Sequence, residues 1–170
     1  MTPADALKIL LTDRLADLGP GMPDPAVKPL LDLITPEIVT PCVKNHDAAL
    51  ACVSGLWLLH DFLDESHKIS QDLETPEGSF WHAIMHRREP DAWNSKYWWQ
   101  KVGRHPVLKQ LADQSPALGY DFKSPGDFVD FCERVRGTGN AEEEIARKVQ
   151  LLEWRLLFEH CLQKAFGRAH

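Results

Sequence analysis

Histidines and carboxylates recur at helical spacing in two neighbouring stretches of this 170-residue chain, a pattern suited to holding metal ions or moving protons. His60, Asp64 and His67 stand at i, i+4 and i+7, and His82, His86 and Glu89 repeat that spacing. On a helix such residues share one face. Neutral imidazole and carboxylate ligate Zn, Mn or Fe, so His60, Asp64, His67, His82 and His86 are expected metal ligands if the two stripes face each other. His82, His86 and Glu89 are the expected catalytic group. Imidazole has a resting pKa near neutrality, and Glu89 or Asp64 would orient it. The match to known signatures is partial. His82-Ala-Ile-Met-His86 lacks the glutamate that marks the zinc-protease helix, and no two helices carry the Glu-x-x-His pair of di-iron bundles.

The stretch from Gly78 to Pro106 also gathers four of the six tryptophans and a run of basic residues. Arginine forks recognise carboxylates and phosphates, and indole or phenol rings make pocket walls with a polar tip. Arg87, Arg88, Asn94 and Tyr97, with Lys101 one turn on, are therefore expected to bind a small anionic or hydroxylated molecule. The bland alternative ties Arg87 and Arg88 to Glu89, Asp91 or Glu77 and buries the tryptophans as core.

Within this stretch, His82-x-x-x-His86-Arg-Arg-Glu-x-Asp91-x-x-Asn94-x-Lys-Tyr97-Trp98, followed by Val102-Gly103-x-His105-Pro106, resembles a segment recurring in a group of uncharacterised bacterial and fungal proteins. The resemblance covers about a fifth of the chain. It implies where a site lies, and brings neither an activity nor residue roles.

The elements that must position these groups all read as helices. Apolar residues recur with helical period and no alternating strand stands out. Helices are expected over 4–18, 26–34, about 45–72, 76–89, 92–102, 106–114, about 125–135 and 141–166. Thr75-Pro76-Glu77 supplies a cap, a first-turn proline and a dipole-matched acid, while Gly103 and Gly167 mark ends. Gly55 marks close packing or a bend in the central helix. The expected architecture is an all-α, single-domain bundle of about seven or eight helices.

Composition narrows the function. A net charge of −6 and pI near 5.7 disfavour a nucleic-acid partner. The run Leu50–Leu59 is too short for a bilayer, which needs about 20 apolar residues, so no membrane partner is expected. No signal-peptide pattern opens the chain, and Cys42, Cys52, Cys132 and Cys161 form no C-x-x-C pair. A cytoplasmic, reduced protein is expected. Its function would be to bind a small molecule, with metal-assisted hydrolysis as the concrete enzymatic form. The alternative is a non-catalytic interaction module built on the Trp- and Arg-rich 81–105 segment.

Overall fold

Capping side chains and first-turn prolines set most of the helix starts. Thr2 and Asp5 form a reciprocal capping box on α1 (Pro3–Leu10). Asn45 accepts the Ala48 N–H to open α4 (His46–Leu59), and Thr75 accepts the Gly78 N–H to open α6 (Pro76–Arg88). Asp91, His105, Ser124 and Asn140 do the same for α7 (Ala92–Val102), α8 (Pro106–Gln114), α9 (Pro125–Val135) and α10 (Ala141–Ala165). Two single turns, α2 (Lys28–Leu31) and α3 (Pro36–Val39), and α5 (Leu63–Ser70) complete the set. The computed structural model describes residues 1–168, and among these there is no strand. The fold is all-α, as the periodicity predicts.

α4 and α6 are buried on nearly every face, eleven residues in each, and form the centre. α10 packs along α4, α8 and α9, while α5 and α7 flank α6. Leu56, Phe80, Trp81, Met85, Val107 and Leu157 are among the core residues they share. A second apolar cluster, with Leu111, Phe128, Cys132 and Val149, joins α8, α9 and α10. No helix among the described residues is long and apolar enough to cross a membrane.

Two expected helices are cut short, both by arginine. The predicted 4–18 helix stops at Leu10, and residues 11–19 run on as an extended strap. Its carbonyls are claimed by side chains from elsewhere: Arg147 donates to those of Leu15 and Ala16, Gln150 to Asp17, Arg136 to Leu18 and Arg88 to Gly19. These bonds satisfy the strap's acceptors in place of helical ones. The predicted 45–72 helix breaks at His60–Phe62, where Asp61 adopts φ 68°. There Arg88 donates to the Leu58 carbonyl at 2.7 Å and Arg14 to that of Leu59 at 2.8 Å. The Asp61 carboxylate accepts from both guanidiniums. The break changes the site, because it rotates everything after residue 60 off the line of α4.

Candidate functional site

The second stripe survives and one residue of the first, His67, joins it. α5 folds back beside α6, and the two place His67, His82 and His86 together, with ring nitrogens within 4.8 Å of one another. Nε2 of His67 lies 3.0 Å from Nε2 of His82. His82 and His86 stack at 4.7 Å between centroids, as residues one helical turn apart can. The Trp98 indole of α7 covers the other side of His82, stacked at 3.8 Å. Nδ1–H of His86 donates to Glu89 Oε2 at 2.7 Å, which leaves Nε2 as the nitrogen not engaged by the carboxylate. His82 Nδ1 is buried without a protein partner. Burial, reinforced by the neighbouring His86 and His67, pushes the pKa of His82 down to about 3. At neutral pH this imidazole is therefore uncharged, the form in which it ligates a metal.

His60 and Asp64 are not part of this group. His60 ends α4, and its Nε2–H donates to the Leu10 carbonyl at 2.9 Å, so it fastens α1 instead of facing His67. Asp64 is exposed at the start of α5. It lines a neighbouring cleft of about 510 Å3 together with Glu65 and Glu89. That cleft reaches the group through Glu89 and carries carboxylates, not cations.

The arginines are likewise elsewhere. Arg87 is wholly buried, its fork on Glu153 at 3.0 and 2.6 Å and its plane over Phe128. Arg88 is 2% exposed and spans Asp61, Leu58 and Gly19. Neither guanidinium reaches solvent, so neither is placed to hold a ligand at this site, contrary to expectation. Their partners differ from the Glu89, Asp91 and Glu77 that local reasoning offers. Asn94 is held by the α7 cap, its Nδ2 donating to Asp91 Oδ2 at 2.7 Å. Tyr97 is exposed, parallel to Trp93 at 6.2 Å, with the Lys101 ammonium over its ring. Arg87, Arg88, Asn94 and Tyr97 thus do not form one wall.

A second group was not anticipated. Glu77, on the first turn of α6, is 4% exposed, and its Oε1 accepts from Lys164 Nζ at 2.9 Å and His160 Nε2 at 3.0 Å. His105 Nε2 approaches the same oxygen at 3.4 Å. Burial alone would raise the Glu77 pKa, but the hydrogen bonds from His105, His160 and Lys164 outweigh it and hold the carboxyl far below its usual range. Residues 77, 105 and 160 lie on three helix ends far apart in sequence. Only the i, i+4 pair His160 and Lys164 left any local signal.

Comparison of the chain with protein-family models, with curated proteins and with solved structures finds no match.

Proposed function

We propose that the protein binds a first-row transition-metal ion through His67, His82 and His86 and uses it to activate water for hydrolysis. The observation that carries this reading is the convergence of three imidazoles from two helices on one point. Around a four-coordinate Zn with bonds of 2.0–2.1 Å, ligand nitrogens stand about 3.3–3.4 Å apart, and the 3.0 Å His67–His82 spacing is near that value. Glu89 supports His86 as carboxylates support metal-bound histidines, fixing the tautomer and the ring. Three protein nitrogens leave a coordination position for water, whose pKa a bound ion would lower from 15.7 to about 7. Imidazole suits Zn and Fe, whereas Mn prefers oxygen ligands, so Zn or Fe fits a three-histidine set best. The adjacent cleft carries Asp64, Glu65 and Glu89, which favours a neutral or cationic substrate over an anionic one.

The test is metal analysis of untagged protein purified without chelator. About one equivalent of Zn, Mn or Fe per chain is expected. It should be lost in His67→Ala, which removes a half-buried ring and leaves the helical circular dichroism intact. Wild-type protein that holds no metal after incubation with these ions and removal of the excess would overturn the reading.

One observation favours a second reading. Trp93 is 77% exposed and Tyr97 44%, their rings within 6° of parallel. Exposed Trp and Tyr dominate binding hot spots, so this ridge supports a partner-binding role. A metal-free wild type would leave it as the live alternative.

A further inference from the structure

We infer that the cleft over Glu77, Arg104 and Lys164 is a binding site for a small phosphate-class dianion, independent of the histidine site. The cleft measures about 280 Å3 and is lined by the start of α6, the α7–α8 link and the end of α10. Three fixed cations, Arg104, Lys164 and Arg168, meet there, and Glu77 is the single carboxylate among the described lining residues. Lys164 already pairs with Glu77. Two guanidiniums are thus left in excess, although the whole chain carries a net charge of −6. Both Arg104 and Arg168 are exposed at the rim, where their forks can close on an anion bidentately. α6 and α8 begin at this cleft and α10 ends at it, so the helix dipoles largely offset one another and the preference for an anion rests on the side-chain cations.

Glu77, His105 and His160 resemble a metal-binding set, but their protons are wrongly placed for one. His105 Nδ1 accepts the Val107 N–H at 3.3 Å, so the ring proton is on Nε2, directed at Glu77. His160 Nε2–H and the Lys164 ammonium point at the same carboxylate oxygen. A cation would face two imidazole N–H donors and an ammonium. An anion would find Arg104, Arg168 and the partly exposed Lys164 at the cleft, with Glu77 holding the lysine and both rings. A volume of about 280 Å3 accommodates inorganic phosphate or a small phosphomonoester.

Calorimetric titration at low ionic strength with inorganic phosphate, and separately with glycerol phosphate, tests this. Binding with a dissociation constant of order 1 mM or tighter is expected for at least one. It should weaken about tenfold or more in Arg104→Ala/Arg168→Ala, whose side chains are exposed and make no hydrogen bond among the described residues. His67→Ala should bind as wild type does, which separates this site from the metal reading. Tighter binding of the ester would identify a phosphorylated metabolite, and equal or tighter binding of phosphate the free anion. No binding at about 10 mM of either, an equal response to chloride, or unchanged affinity in the double variant would overturn the inference.

Discussion

Arg87 and Arg88 are adjacent in sequence and do separate structural work. Arg87 pairs with Glu153 and Gln150 inside the α6–α10 contact, whereas Arg88 and Arg14 hold Asp61 where α4 ends. Buried ion pairs are costly to break one side at a time, because the remaining charge is stranded in low dielectric. Arg87→Met should therefore lower unfolding stability by about 3–5 kcal/mol in urea titrations. The double change Arg87→Met/Glu153→Leu should recover most of that loss, since an apolar pair of similar volume needs no compensation. A single variant as stable as wild type would show that the Arg87 pair adds nothing. The three histidines contrast with these arginines. Their partners are one another and Glu89, and burial keeps His82 uncharged near neutrality, so no charge is stranded in the group.

α4 and α6 can cross closely because Gly55 has no side chain. A Cβ there would stand 2.6 Å from Trp81 Cζ2, and the Gly55 carbonyl accepts from Trp154 Nε1 at 2.7 Å. The expectation of close packing at this glycine therefore holds. On an exposed helix Gly→Ala would stabilise by about 1 kcal/mol. At this crossing Gly55→Ala should instead destabilise by about 1–3 kcal/mol through overpacking, and should alter the near-ultraviolet dichroism of the tryptophans. A stabilised variant would contradict the crossing. The interruption between α4 and α5 matters as much, because it turns His67 toward α6 and leaves His60 behind on α1.

For the molecule as a whole, buried titrating groups set the pH range of stability. Burial lowers the His60 pKa, partly opposed by its bond to Leu10. Burial would raise that of Asp61, but its hydrogen bonds from Arg14 and Arg88 hold it low. Groups depressed in the folded state bind protons more readily when unfolded, so their contribution falls with pH. For His60 it is complete above about pH 6.5, for Asp61 and Glu77 above about pH 4–4.5, and each is lost below that. At the other end, burial raises Cys132 to about 11 and Tyr120 to about 12. Their contributions are complete below the unfolded values and disappear as pH climbs past roughly 9–10. The melting temperature of metal-free protein should be flat from about pH 7 to 8.5 and fall on both sides, first gently and then steeply on the acid side. A melting temperature that rises between pH 7 and 5 would contradict this assignment.

Helix type, most helix starts and the shared face of His82, His86 and Glu89 were legible in the chain itself. Period, caps and first-turn prolines are local, and each acts within about one turn of the residue that supplies it. His82, His86 and Glu89 hold their relation because one unbroken helix carries all three. What the sequence could not decide was every relation running between elements. Arg87 and Arg88 read as exposed binding groups until Glu153 and Asp61 are brought to them from 66 and 27 residues away. The strap at 11–19 and the break at Asp61 follow from the same long-range hydrogen bonds, which outweigh helical propensity where carbonyls find guanidinium donors. The Glu77 group draws on three helix ends and exists only once they meet. Local periodicity fixes which face a side chain occupies, whereas its partners, and hence its charge and chemistry, are decided by packing.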